Sequence, residues 1–159
     1  MKHPGKKIAI LGGIVCIFLG AWYLYQSALT SSVYQGLPTV PCFDTTQPVR
    51  QAFQVHITIT VDGQPYPLEP RIGYDYGKCM HTMYTTDASG VVYIRANDTS
   101  TYTLGQFFDV WHKTFSNTQI MTYKVESGHR VHILVNGKEV NSGRETPLRP
   151  NDVITISYQ

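Results

Sequence analysis

The stretch QVHITITVDG, residues 54–63, decides the fold. Val55, Ile57, Ile59 and Val61 alternate with His56, Thr58 and Thr60, a period of two that predicts a strand with one apolar and one polar face. Asp62-Gly63 follows as a hairpin signal, because glycine tolerates the positive φ that tight hairpin turns require. The return strand is expected to be short, around Tyr66 to Leu68, with Pro65 and Pro67 confining it to a sheet edge. Upstream, ordered structure is expected to start near Phe53. Downstream, Glu69 to Asp87 has no period, and Ser89-Gly90 then leads into a second strand, Val91 to Ile94.

Thr103 opens the one convincing soluble helix. Its hydroxyl faces the amide of Gln106 three positions on, and the Gln106 side chain can return the bond, the pattern of a capping box. Leu104, Phe107, Phe108, Trp111 and Phe115 fall at steps of three and four and form one broad face. A domain this small needs such a face for its own core more than for a partner. Ile120 to Val125 reads as a strand or a loop. Val131, Ile133 and Val135 alternate before Asn136-Gly137, and Val153 to Ser157 forms the last strand after the Arg149-Pro150-Asn151-Asp152 turn. The expectation is an α+β, two-layer domain with one helix on a mixed four- to five-stranded sheet.

The remaining sequence concerns location. The chain has 159 residues, and IAILGGIVCIFLGAWYLY, Ile8 to Tyr25, carries no charge. As a helix it would span about 27 Å, close to the thickness of a bilayer core. Lys2, Lys6 and Lys7 precede it and Trp22, Tyr23 and Tyr25 close it, which predicts a single-pass anchor with a cytoplasmic amino end and an extracytoplasmic carboxyl end. A cleaved signal peptide ending near Ala28 is the alternative; both export the domain. Cys16 lies among large apolar residues and reads as one of them. The organisation expected is a stub and anchor over 1–28, a Ser-, Thr-, Pro- and Gln-rich stalk over 29–52, and an extracytoplasmic β-rich domain over 53–159.

From Leu29 onward ten Lys or Arg face eleven Asp or Glu, so the net charge of +2 arises at the amino end. A near-neutral body lacks the cation row that displaces counterions from a polyanion, which argues against nucleic acid as a partner. Cys42 and Cys79 remain outside the anchor, either as a disulfide, favoured by an oxidising compartment, or as two free thiols. Asn97-Asp98-Thr99 is a glycosylation sequon.

Chemistry is sparse. No paired carboxylates or glycine-rich phosphate loop occur, and Cys79 with His81 lacks an orienting third group for nucleophilic catalysis, so an enzyme is not the expectation. Copper or zinc would need three or four imidazole or thiolate donors, for which His56, His81, His132 and Cys79 are the candidates and His112 and His129 outer ones. Tyr74, Tyr76, Met80, Met83 and Tyr84 cluster in the irregular segment, residue types that supply contact area in interfaces and also close cores.

Two resemblances add to this. The segments VVYIR, TLGQFFDVW, VHILVNGKEV and LRPNDVITISY resemble the β-grasp, or ubiquitin-like, layout of small sulfur-carrier proteins, which implies a β-grasp-like fold. Those carriers work through a terminal Gly-Gly, whereas this sequence finishes Ile156-Ser157-Tyr158-Gln159, so carrier chemistry is not implied. HITITVDG, PRIG, CMHTMYTTDASGVVYI and TLGQFFDVW also resemble a family of small membrane-anchored or secreted archaeal and bacterial envelope proteins with a histidine-rich pattern. His56, Cys79, Asp87 and Gly90 match it; Gln54, Tyr84, Thr86 and Tyr93 stand where the pattern has histidines. Export, near-neutral charge and missing catalytic geometry together predict an accessory or structural module that contacts another envelope protein, a membrane complex or further copies of itself, and the histidine pattern of the resemblance implies copper or zinc binding as the alternative.

Overall fold

The computed structural model describes residues 40–159 apart from 76, 78 and 127. The predicted anchor, and the stalk before Val40, lie outside the described residues. No helix among those described is long and apolar enough to cross a membrane.

The long alternating strand is β1, Gln51–Val61, and it organises everything else. In chain order β2 (Gln64–Tyr66), β3 (Tyr74–Asp75), β4 (Cys79–Met80), β5 (Met83–Tyr84) and β6 (Val91–Ala96) precede helix α1, Leu104–Val110. After it come β7 (Phe115–Ser116), β8 (Gln119–Ile120), β9 (Tyr123–Lys124), β10 (Val131–Val135), β11 (Lys138–Val140), a 3-10 turn at Gly143–Glu145 and β12 (Val153–Tyr158).

Among the described residues the main sheet has seven strands in the order β11-β10-β12-β1-β6-β5, with β2 also on β1. The expected four to five strands undercount it because β5 and β11 are only two and three residues long, too short for a period to show. β1 and β12 are parallel, from His56 opposite Val153 to Val61 opposite Tyr158, and the other pairings in this sheet are antiparallel. β6 pairs with the first half of β1 and β2 with its last three residues, so one long strand serves two partners along one edge. β2 starts at Gln64, earlier than expected, because a two-residue turn at Asp62 (φ 49°) and Gly63 (φ 75°) sets Gln64 opposite Val61.

Val55, Ile57 and Ile59 of β1, Val92, Ile94 and Ala96 of β6 and Ile154 and Ile156 of β12 are buried together with Leu104, Phe107 and Phe108 of α1. The opposite face of the sheet carries the polar partners of the alternation. The capping box at the start of α1 is present in both directions: the Gln106 amide donates to Thr103 Oγ1 and the Thr103 amide to Gln106 Oε1.

The helix is shorter than its aromatic spacing suggests. It ends at Val110, and His112 turns left-handed at φ 57°. The His112 amide donates to Asp109 O and the Lys113 amide to Phe108 O, the paired bonds of a Schellman terminator. Glycine usually marks that position; histidine holds it here, and the stop is therefore not visible as a glycine signal. Phe115 consequently sits on β7, yet it stacks on Phe108 at 4.2 Å between ring centroids, so the expected aromatic contact forms through a chain reversal. Ile120 to Val125 supplies the end of β8 and all of β9, which form a small three-stranded sheet with β7.

Order also begins earlier than the alternation marks. Val40 and Phe43 are buried, and Asn97 binds the segment after them: its Oδ1 accepts from the Asp44 amide and its Nδ2 donates to the carbonyls of Asp44, Gln47 and Pro48. The nitrogen that glycosylation of the sequon would consume is thus already engaged.

Candidate functional site

The irregular segment after β2 is shaped by two internal devices. Thr85, fully buried, donates through Oγ1 to Glu69 O and accepts from the Ile72 amide. Gly73, at φ 81°, passes so close to the Met83 carbonyl that a side chain there has no room. This approach lets the His81 amide donate to Gly73 O at 2.8 Å.

Residues 40–43 run alongside 80–82. Phe43 donates to Met80 O at 2.8 Å, Thr82 donates to Pro41 O at 3.1 Å, and Cys42 and His81 form an isolated bridge pair. The Cys42–Cys79 disulfide joins the two segments, with Cα atoms 5.7 Å apart. His81, whose side chain is 14% exposed, lies beside it: Nδ1 is 2.9 Å from Val40 O, and Nε2 is 3.2 Å from Asp75 Oδ2. One donor atom from each of Cys42, Cys79 and His81 falls within 4.8 Å of the others.

The other predicted ligands lie elsewhere. His56, on the polar face of β1, has Nε2 3.0 Å from Ser89 O. His132, on β10, has Nδ1 2.7 Å from Glu139 Oε1 across the β10–β11 hairpin. His56 faces Val153 and His132 faces Ser157 on the intervening β12, which puts two strand spacings and four residues, about 16 Å, between their backbones. They cannot share an ion with each other. His129 stacks on Tyr158 and pairs with Asp62, and His112 lies exposed at the helix terminator, apart from the other histidines. Of the expected set only Cys79 and His81 meet, and they meet Cys42 and Asp75, which the sequence reading did not place with them as donors.

The expected contact cluster is also redistributed. Met83 is 0% exposed and belongs to the core, because it pairs with Ile94 on the inward face. Tyr84, its neighbour, points outward, opposite Tyr93 of β6. Tyr84 and Tyr93 stack at 5.4 Å, and Tyr74 meets Tyr84 edge-on at 5.7 Å. All three are half-buried, as is Met80; Tyr76 lies outside the described residues. Burial pushes the Tyr84 phenol above its ordinary value, with Tyr74 adding to the shift. Beside the stack an open groove of about 430 Å³ is lined by Gln54, Arg95, Pro150 and Asn151 among others. Arg95 lies over the Phe43 ring at 4.8 Å, linking this face to the disulfide-tied segment. From sequence Tyr93 stands out only as a replacement for a histidine of the envelope-family pattern, not as a contact residue. Its outward direction is legible in the β6 alternation, but its meeting with Tyr84 depends on the β5–β6 register.

Comparison with known proteins yields no match: no protein-family model, no curated protein and no solved structure matches this chain.

Proposed function

We propose that this protein is a single-pass, membrane-anchored extracytoplasmic accessory module that makes protein–protein contacts in the cell envelope through the Tyr74–Tyr84–Tyr93 stack. The observation that carries this reading is the stack itself: half-buried Tyr84 and Tyr93 on the sheet face opposite the helix, Tyr74 of β3 set edge-on to Tyr84, and beside them a groove of mixed polar and apolar lining. Tyrosine provides large contact area at small entropic cost and keeps a hydroxyl for hydrogen bonding. The partner is another envelope protein or a second copy of the chain. The uncharged run from Ile8 to Tyr25 after three lysines supports the anchor, and the Cys42–Cys79 disulfide is consistent with an oxidising compartment. The strand order, with parallel β1 and β12 at the centre and the β10–β11 hairpin beyond β12, supports the β-grasp reading of the body.

The test is purification of the full chain in mild detergent, with mass determination and crosslinking, beside a Tyr84→Ser/Tyr93→Ser variant. An oligomer or a stoichiometric partner that the variant loses is the expected result. A strictly monomeric wild type without a co-purifying protein refutes the contact role. Protease added to intact cells is expected to cut the domain; protection until lysis refutes the location.

A further inference from the structure

The corner built by Cys42, Cys79, His81 and Asp75 has a use beyond a covalent staple. We propose that reduction of the Cys42–Cys79 disulfide opens a tetrahedral site for a thiophilic divalent ion, zinc by preference, held by the two thiolates, His81 Nε2 and the Asp75 carboxylate.

Three features point there. First, His81 Nε2 and Asp75 Oδ2 stand 3.2 Å apart. Two N or O donors on one tetrahedral zinc, each at 2.0–2.1 Å, are separated by about 3.3 Å, so this pair already has the spacing of a coordination edge. A hydrogen bond between these atoms needs a proton on one of them, and a cation bound by both displaces that proton. Second, His81 Nδ1 lies 2.9 Å from Val40 O. Donation from Nδ1–H to that carbonyl leaves the Nε2 lone pair directed away from it, the outer-shell arrangement that orients zinc-binding imidazoles. Third, the two sulfurs and a ring nitrogen of His81 lie within 4.8 Å of one another, and Asp75 joins this group through His81. A sulfur and a nitrogen on one zinc are about 3.6 Å apart, a difference of about 1 Å that side-chain rotation at the cysteines covers.

The backbone holds these donors independently of the disulfide. Phe43 donates to Met80 O, Thr82 to Pro41 O and His81 to Gly73 O, and Asp75 pairs with Cys79 across β3 and β4. Opening the bond therefore leaves the four side chains in one place. Cys42 is exposed, which admits a reductant.

A dithiol reductant attacks one sulfur, and resolution of the mixed disulfide leaves the reductant oxidised to its own disulfide and Cys42 and Cys79 as thiols; two electrons and two protons are transferred. Metal binding then expels both thiol protons, since the thiolate is the ligand. Bonded sulfurs offer no thiolate, so the disulfide and the metal exclude each other. The set of two sulfurs, one imidazole and one carboxylate suits zinc or its spectroscopic substitute cobalt, and His56 and His132 have no part in it.

The full chain in a Cys16→Ser background removes the other thiol. Reduced with a phosphine under inert gas and titrated with Co(II), it is expected to bind one ion per chain, with a thiolate-to-cobalt charge-transfer band and intense tetrahedral d–d bands; the oxidised protein shows neither. His81→Ala and Asp75→Asn should each weaken binding by about tenfold or more. Zinc should raise the melting temperature of the reduced protein in proportion to the logarithm of its concentration and leave that of the oxidised protein unchanged. If reduction itself loosens the fold, zinc should restore the near-ultraviolet dichroism. No charge-transfer band in reduced protein, equal affinity in His81→Ala, or a loosened reduced chain that zinc does not restore would each overturn the proposal.

Discussion

Gly105 sits inside α1, where replacing glycine with alanine ordinarily stabilises a helix by about 1 kcal/mol. The tertiary contact argues the other way. A Cβ at Gly105 would stand 2.8 Å from Arg144 Cβ, 2.9 Å from Arg144 O and 3.1 Å from Arg144 Cα. Carbon contacts are most favourable at about 3.5–4.0 Å, so helix and 3-10 turn would have to separate by roughly 0.7–1 Å. Neither side is free to move. The Leu104 amide donates to Thr146 O at 2.8 Å, and the Arg144 guanidinium donates to Phe115 O at 2.9 Å and to Asp109 Oδ2 at 2.6 Å. Overpacking of this kind costs about 1–3 kcal/mol, which exceeds the propensity gain. Gly105→Ala is therefore expected to destabilise the protein by about 1 kcal/mol. With an unfolding entropy of about 2.1 cal/mol/K per residue over roughly 120 residues, Tm should fall by about 4 °C. Thermal and urea unfolding of the two full-length proteins in the same detergent, followed by near-ultraviolet dichroism, measures it. A Tm equal to or above that of the wild type would show that local propensity prevails and would refute the reasoning.

Cys42→Ser/Cys79→Ser removes a crosslink spanning 37 residues. Chain entropy places its worth at about 4 kcal/mol, or roughly a 15 °C fall in Tm, and a loss under about 1 kcal/mol would show that the crosslink hardly restrains the unfolded chain. Burial raises the phenols of Tyr84 and Tyr102 above the ordinary 10.0. Their neutral forms are favoured by the fold, so this contribution is fully present below pH 10 and is lost as pH rises from there through the folded values. Melting temperatures measured between about pH 9 and pH 11 should decline less in a Tyr84→Phe/Tyr102→Phe variant, and an unchanged decline would count against this assignment. Asn97→Ala should release residues 44–48, with faster amide exchange there and a loss of about 1–2 kcal/mol; unchanged exchange would mean that the buried Val40 and Phe43 hold the segment without it.

Local rules account for what could be read in advance. The alternation from Val55 to Val61 needs no partner to state which face is apolar, and Thr103 with Gln106 signals a helix start within four residues. The two hairpin turns, at Asp62-Gly63 and Asn136-Gly137, likewise carry their geometry in the dipeptide. Where a different residue performed the usual task, the local signal failed: His112 ends the helix where glycine would have announced the end, and the aromatic spacing ran on to Phe115.

The candidate sites divide along the same line. Their residue types were visible from sequence, since cysteine, histidine and tyrosine stand out in a chain of modest charge. Their grouping was not. Met83 and Tyr84 are adjacent in sequence and part company because a strand sends consecutive side chains to opposite faces; only pairing with Ile94 and Tyr93 says which one is buried. His56 and His132 share a face but are separated by the parallel register of β1 with β12, whereas Cys42 reaches His81 because residues 40–43 return to lie beside 80–82. Periodicity and turn chemistry act over a few residues and are determined by the sequence alone. Register and the return of a distant segment depend on which long-range contacts offset the entropy of closing the intervening chain, and that balance is struck only in the folded molecule.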